Sequence, residues 1–498
     1  VGDPFFKIKK YFHQEVTKPM HTIEKIGGTS MSQYSSVRDN IIFKPVQTKN
    51  LYNRVFVVSA YSGITDRLLD HKKSGQPGVF KLFSSGIEDD SWLIALNSLR
   101  SDMHQINEDL FGKDSTLLAQ ANNFVNERII DAQKCLLDLQ SLCRHGHFEL
   151  DTHLHTVREM LASIGEAHSA WNMATLLQRD GVNAKFVDLT GWKDKNQHTL
   201  DERITNAFSQ LDLTNVLPIV TGYAHTHDGL MSTFDRGYSE MTFSRLAVLT
   251  EAREAIIHKE FHLSSADPRL VGESQAVPIG RTNYDVADQL ANIGMEAIHP
   301  KAAKGLRQKN IPLRVKNTFE PEHKGTLITG DYVSESPCVE IIAGTKGVYA
   351  IEVFDQDMAG LFHIYDPQIV SVIKEYKAHI VSKDINANSV THYLSTNLKT
   401  VKRIRKKLEA KFPEAELDQK KVAVVSAIGS DLGIKGLLAK VSNAIAEADI
   451  GILAIHQCMR QVDIQLIVEE ADYSEAIKAL HASLVEVHDH GSAICLAS

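Results

Sequence analysis

The stretch His21-Thr-Ile-Glu-Lys-Ile-Gly-Gly-Thr-Ser30 is a short strand-like run that carries one lysine and ends abruptly in Gly27-Gly28-Thr29-Ser30. Two adjacent glycines let the backbone turn sharply and approach a ligand, and the N–H groups of such a turn form a concavity that suits anions. Lys25, just ahead of the turn, adds a full positive charge. Taken alone the segment reads equally as a strand ending in an ordinary turn, so its meaning depends on the rest of the chain.

Outward from it the pattern repeats. A helix is predicted over Ser32–Phe43, and then Arg54-Val-Phe-Val-Val-Ser-Ala60 forms a nearly continuous apolar run of the kind found in strands buried on both faces. The small-residue loop Tyr61-Ser62-Gly63-Ile64-Thr65 and a second helix follow it. From about Asp89 to Gln178 the apolar spacing is helical, interrupted at Ser163-Ile-Gly-Glu166, so a helical layer is expected there. Ala184–Leu189 and Val216–Thr221 read as further strands, the second running into a loop or hairpin over Gly222–Gly229. Strands alternating with helices predict an α/β fold with a mostly parallel sheet sandwiched by helices. Ligands bind such sheets at the carboxyl ends of the strands, where the loops at Gly27-Gly28, Ser62-Gly63 and Gly222 would converge on one site.

The last third differs. From Val339 the order is strand, helix, strand, and around Val422 it restarts: Val422–Ile428, a Gly-rich turn, a helix to about Glu447, strands near Ile450–Ile455 and Val462–Val468, and a helix over Tyr473–Leu484. This is the βαββαβ ferredoxin-like order, partly repeated, and it predicts two small modules side by side. The basic run Lys399–Lys411 reads as a solvated helix face.

Length and composition bound the function. A chain of 498 residues is long enough for about three domains. With 43% hydrophobic and 23% charged residues and a net charge of −8, it has ordinary globular composition and no electrostatic reason to bind nucleic acid. No apolar run approaches a membrane span and the beginning lacks a secretory pattern, which predicts a cytoplasmic protein without a membrane partner. The five cysteines, Cys135, Cys143, Cys338, Cys458 and Cys495, are scattered without zinc spacing and read as reduced thiols. His225-Thr-His-Asp228 resembles a metal-ligand run, but no third cluster supports it and no metal ligands are assigned. Residues 1–19 show no sustained periodicity and read as an extension, or an ordered arm, ahead of a domain that starts near Met20.

Neither a Walker loop nor a G-x-G-x-x-G fingerprint is present. The chain offers instead Lys25 with its glycine turn, the polar loop with Ser62 and Thr65, acidic Glu166, and the run Ser232-Thr-Phe-Asp-Arg236-Gly-Tyr-Ser239-Glu240. Arg236 has a planar fork suited to a carboxylate or phosphate, while Glu166 and Glu240 suit an ammonium group. Positive and negative groups together suit an amino acid.

These motifs carry a resemblance. K-I-G-G-T-S at Lys25–Ser30, V-S-A-Y-S-G-I-T at Val58–Thr65, S-I-G-E at Ser163–Glu166, the stretch between Pro218 and Glu240, A-D-P-R at Ala266–Arg269, I-H-P at Ile298–Pro300, and the elements between Asn317 and Ile328 follow the order seen in aspartate kinases of the amino-acid kinase family. The two C-terminal modules resemble the tandem ACT domains of the same family, where one module is commonly threaded through the other. The resemblance implies an extension at 1–19, a catalytic domain over 20–330 and ACT-like modules over 331–418 and 419–498, with interleaving of the two modules open. It implies phosphorylation of the L-aspartate side-chain carboxylate by ATP with Mg2+, and a homodimer paired through the ACT modules. It also implies that Lys25 touches the transferred phosphate, with Gly27, Gly28, Thr29 and Ser30 around it. Thr65, Glu166, Arg236, Ser239 and Glu240 would position aspartate, Arg236 on its α-carboxylate, and Ser264 and Arg269 would contact the nucleotide.

Several departures qualify the likeness. The family's R-G-G-S-D stands here as R-G-Y-S-E, which puts the bulk of Tyr238 next to the substrate and makes Glu240 one methylene longer than the usual aspartate. Where many members have T-D-V-x-G this chain has His258-Lys-Glu-Phe-His262, and a lysine common in the G-x-K-x-x-H-P loop is Glu296. These pieces resemble the aspartate kinases associated with ectoine biosynthesis. In the last module Arg460-Gln-Val-Asp463 stands where feedback-controlled members often bind lysine or threonine, and charge there predicts weak inhibition or none. A kinase for glutamate or acetylglutamate, and a non-catalytic ACT ligand sensor, remain as the alternatives.

Overall fold

The computed structural model describes residues 21–44, 51–71, 74–85, 90–145, 147–234, 237–295, 297–487 and 489–494. The 1–19 extension, Arg236, Glu296 and Cys495 lie outside these residues.

The apolar runs form the centre of an eight-stranded sheet, in the order β3-β4-β2-β1-β5-β7-β8-β6. Its members are β1 (Thr22–Ile26), β2 (Arg54–Val58), β3 (Ala184–Val187), β4 (Leu217–Thr221), β5 (Glu254–Lys259), β6 (Arg281–Asn283), β7 (Leu313–Asn317) and β8 (Thr326–Thr329). Every pairing from β3 across to β7 is parallel, and β8 runs antiparallel to β7. β1, β2 and β4 are buried along their whole length, as continuous apolar runs in a covered parallel sheet should be. The chain leaves β1 for β2 on one side and returns to β5 on the other, so the topological switch, and the crevice it opens, lies at the carboxyl ends of these three strands.

Helices Ser91–Phe111, Ser115–Cys143 and Asp151–Arg179 supply the expected helical layer. The predicted interruption at Ser163–Glu166 is absent: those four residues lie inside the unbroken Asp151–Arg179 helix. Serine and glycine are poor helix formers, which produced the expectation, but packing overrides propensity here. A Cβ on Gly165 would lie 2.8 Å from the Ala60 Cβ, so glycine lets this helix press against the loop after β2. The predicted helix over Ser32–Phe43 starts at Tyr34 and widens into a π-helical turn from Val37 to Phe43.

A second, antiparallel sheet has the order β10-β11-β9-β12-β14-β13. It is built from β9 (Ile341–Phe354), β10 (His379–Ile385), β11 (Ser389–Ser395), β12 (Glu416–Ile428), β13 (Ile452–Gln457) and β14 (Asp463–Glu469). β9 and β12 pair over their full lengths, β11 joins one half of β9, and β14 joins the other half of β12. The two βαββαβ units therefore share their central strands. One small core gathers Ile351, Val353, Ile369, Val390, Ile404 and Leu408, and a larger one gathers Ile341, Val424, Ile445, Leu466 and Leu480. The larger core also takes in Ala266, Ile279, Val286, Leu290 and Ile293, so the segment after β5 packs with the second sheet. The basic helix Leu398–Lys411 buries Val401, Ile404 and Leu408 and leaves its lysines on the outer face.

Candidate active site

β1 presents two ionisable neighbours to opposite faces of the sheet. On one face Glu24 accepts from Arg54 Nε through Oε1 at 2.6 Å and from Nη2 through Oε2 at 2.9 Å, and His258 Nε2 lies 2.8 Å from the same Oε2. All three groups are buried. Burial alone would raise the Glu24 carboxyl, but Arg54 and His258 together hold it far below the usual range. On the other face lies Lys25, 9% exposed and in register with Val57 of β2 and Ile257 of β5.

Lys25 Nζ donates to Glu240 Oε1 at 3.4 Å. Glu240 sits in the first turn of the helix Tyr238–Leu249, and its other oxygen accepts from the His299 N–H at 2.5 Å. Burial works to raise this carboxyl, yet Lys25, Lys259 and the His299 N–H hold it below its ordinary value. Ser239, one residue earlier, donates through Oγ to Glu166 Oε1 at 2.8 Å. Glu166 is 1% exposed, and its Oε2 is buried without a hydrogen bond among the described residues. Burial pushes the Glu166 carboxyl up to about 8, against Ser239, Tyr238, Lys25 and Tyr223, which all favour the ionised form. The structure thus brings together Lys25, Glu240, Ser239 and Glu166 from β1 and two helices. Tyr238 also reaches this cluster: its side chain hydrogen-bonds Glu166, and its buried ring packs edge-on against Tyr223 with centroids 5.7 Å apart.

The loops after β1 and β2 meet tightly. A Cβ on Gly28 would lie 2.6 Å from the Ala60 carbonyl oxygen, so only glycine fits there. Gly27 donates its N–H to His258 O at 3.3 Å, which leaves the residues after it to form any anion-binding concavity. Thr29 is exposed at the mouth, whereas Ser30 is buried with its hydroxyl 2.9 Å from that of Thr318. Thr65 is half-buried in the first turn of the short helix Ile64–Leu68, beside the Gly165 contact.

Ser264 and Arg269 are not part of this cluster. Ser264 bridges to Pro278, and Arg269 is spread against Asp267, with Nη2 to Oδ2 at 2.7 Å and its side chain 88% exposed. The short helix Pro268–Val271 packs on the helix Tyr473–Leu484 of the second sheet, and Ser265 Oγ lies 2.9 Å from His481 Nε2 there. The 263–295 segment that carries both residues packs with the second sheet. Two residues that motif reading passed over do belong near the site. Lys259 ends β5 on the face of Lys25, a position legible from strand alternation alone. Glu159 lies two helical turns before Glu166. It accepts from Tyr223 OH at 2.6 Å, Met231 N at 3.1 Å and Ser232 N at 2.9 Å, and so fixes the start of the helix Leu230–Phe234 that leads to Arg236.

Among the described residues no three His, Cys, Asp or Glu side chains converge as a metal site. No helix among them is long and apolar enough to cross a membrane. His225, from the histidine run, accepts through its carbonyl from Arg203 Nε at 2.5 Å.

Residues 20–317 match the amino acid kinase family, and residues 414–482 match an ACT domain. The chain is 54% identical over 478 residues to aspartate kinase Ask_Ect of Stutzerimonas stutzeri (strain A1501), covering 96% of this chain and 100% of the relative. It is 25% identical to the aspartokinase of Candida albicans, covering 95% and 91%. In fold it is similar to E. coli aspartokinase III in complex with aspartate and ADP, with a TM-score of 0.69 at 19% identity, covering 93% of this chain and 99% of that one. The matched span carries Lys25, both loops that press around it and the helix that bears Glu240, and the chain belongs to the amino acid kinase family.

Proposed function

We propose that this protein transfers the γ-phosphoryl group of ATP to the side-chain carboxylate of L-aspartate, giving 4-phospho-L-aspartate and ADP. The observation that carries the reading is Glu166: a buried carboxylate with one oxygen held by Ser239 and the other without a hydrogen bond among the described residues. Leaving a carboxylate oxygen unsatisfied in the interior is costly, and an α-ammonium group repays that cost. An acetylated amine offers no such cation, which disfavours acetylglutamate. The 54% identical relative is named an aspartate kinase, and the chain spans its full length.

The acceptor carboxylate is ionised at neutral pH, so it attacks the γ-phosphorus without a general base. The new bond forms from the carboxylate oxygen to phosphorus, the bond from phosphorus to the β–γ bridging oxygen breaks, and the electron pair stays on ADP. What the protein supplies is alignment and neutralisation of charge on the transferred group. Lys25 is the neutralising group and Glu240 holds it in place. Arg236 would hold the α-carboxylate. Magnesium bound to the triphosphate would draw charge from the phosphate oxygens. A coupled assay of ADP release with aspartate, glutamate and acetylglutamate tests the reading. Turnover with aspartate alone is expected; equal turnover with acetylglutamate refutes the role of Glu166.

The same reading takes the protein as cytoplasmic, placed in the branch that feeds ectoine, and paired as a homodimer through the second sheet. Support for the dimer comes from the outer strand β13, which exposes Leu453 and Ile455 and is followed by a fully exposed Met459. Lysine and threonine are expected to inhibit weakly or not at all. Arg460 donates to Asp285 at 2.6 Å and Asp285 also accepts from Arg307 at 2.7 Å, so the charged loop is spent on a contact with the Tyr284–Asn292 helix. Titration of activity with each amino acid, alone and together, checks this, and inhibition at micromolar concentrations overturns it.

A further inference from the structure

β5 borders the crevice opposite β2, and its last residue is Lys259. Because Ile257 is in register with Lys25 and side chains alternate, Lys259 projects to the same face, about 6.6 Å further toward the carboxyl end. Its backbone is fixed on both sides of the crevice. The Lys259 carbonyl accepts from Thr318 N at 2.8 Å, and the preceding carbonyl accepts from Gly27 N at 3.3 Å. The chain's two nearest basic neighbours on this strand are thereby sorted: His258 turns to the buried Glu24 on the far face, and Lys259 to the face of the phosphate-binding turn.

Across the sheet the groups fall in sequence. Glu166 and Ser239 lie beside the end of β4, where a Cβ on Gly222 would touch both; Lys25 lies on the central β1; Lys259 lies on β5. In the reaction proposed above, an acceptor bound at Glu166 and a phosphoryl group at Lys25 leave the β5 side for the departing nucleotide. Lys25 donates to Glu240, and the charge of Lys259 favours the ionised form of the same carboxyl, so both lysines act on one acid of this face.

We infer that Lys259 is a second phosphate-binding cation, holding the β-phosphate of the nucleotide while Lys25 holds the group in transit. The electron pair released when the β–γ bond breaks resides on that phosphate, so Lys259 stabilises ADP as it forms. This rests on the kinase reading.

Binding of ADP and of AMP to the full-length protein, each with magnesium, separates phosphate recognition from general damage. Lys259→Gln is expected to weaken ADP by about tenfold to a hundredfold, the loss of one charge-assisted hydrogen bond, while AMP is unaffected. Lys259→Arg restores most of the difference, and kcat falls in the glutamine variant with little change in the KM for aspartate. Equal weakening of ADP and AMP, or unchanged ADP, overturns the assignment. If the glutamine variant is unstable, Lys259→Met reads the same ratio of AMP to ADP dissociation constants: a collapsed ratio, with ADP and AMP bound alike, supports the assignment, and a ratio equal to that of the unmodified protein overturns it. Unmodified protein that binds neither nucleotide refutes the kinase reading itself, a result distinct from failure at Lys259.

Discussion

Replacing Lys25 with alanine is expected to lower kcat by about a hundredfold to a thousandfold, the usual loss when one preorganised donor to a developing charge is removed. The KM for aspartate should change little well above pH 8, because the groups that face its ammonium, Glu166 and Ser239, are bonded to each other and not to Lys25. It should rise at neutral pH, where loss of the Lys25 charge makes Glu166 harder to ionise. The fold should survive. Glu240 loses its 3.4 Å contact but keeps the His299 N–H and the field of Lys259, so the carboxylate left behind retains partners. Steady-state kinetics with circular dichroism on the same sample checks this. Unchanged kcat in a folded variant would remove Lys25 from the mechanism; lost ellipticity would instead assign it to the fold.

The second large effect concerns Glu166 and has a pH signature. Its carboxyl titrates near 8 without ligand, so at neutral pH most molecules carry it protonated. Holding an ammonium group requires the ionised form, and aspartate binding below pH 8 must therefore expel a proton. The KM for aspartate is expected to rise about tenfold for each pH unit below that value and to level off above it. Glu166→Gln should abolish this dependence and raise KM by about tenfold to a hundredfold at pH 8.5. Stability should move the other way. The unfolded carboxyl titrates near its ordinary 4.5, so between 4.5 and 8 the folded state binds more protons than the unfolded one. Stability conferred by the protonated group is complete below 4.5 and is lost as pH rises toward 8. Without ligand, the glutamine variant should therefore melt higher than the unmodified protein at pH 8 and close to it at pH 4.5. A variant that raises KM and keeps the pH profile sinks this account.

Local pattern carried much of the architecture and a definite part of the site. The runs at β1, β2 and β4 are apolar because both sheet faces are covered, so burial itself writes the signal. Lys25, Ser239, Glu240 and Glu166 stood out because charge interrupts apolar or small-residue runs in a fixed order. The break expected at Ser163–Glu166 was misread for the converse reason: a serine and a glycine placed for close packing look like a helix end. β12 begins at Glu416, six residues ahead of the apolar run at Val422, since its first half alternates charged and half-buried residues along β9. A boundary at 418/419 accordingly falls inside one strand. Ser264 and Arg269 were assigned to the nucleotide by the resemblance carried by the A-D-P-R element; that the apolar residues around them join the other core is a long-range choice that no window of neighbouring residues records.

Glu24 and Lys25 are consecutive, and the Glu24 cluster spans three strands, taking Arg54 from β2 and His258 from β5. Sliding β1 by one residue against either neighbour would send an ammonium group into that cationic pocket and a carboxylate to the phosphate side. Breaking a buried pair in this way costs about 3–5 kcal/mol. The ion cluster on the silent face thus acts as a registration key, and Arg54 and His258, which touch no substrate, fix which face of the crevice receives the lysine.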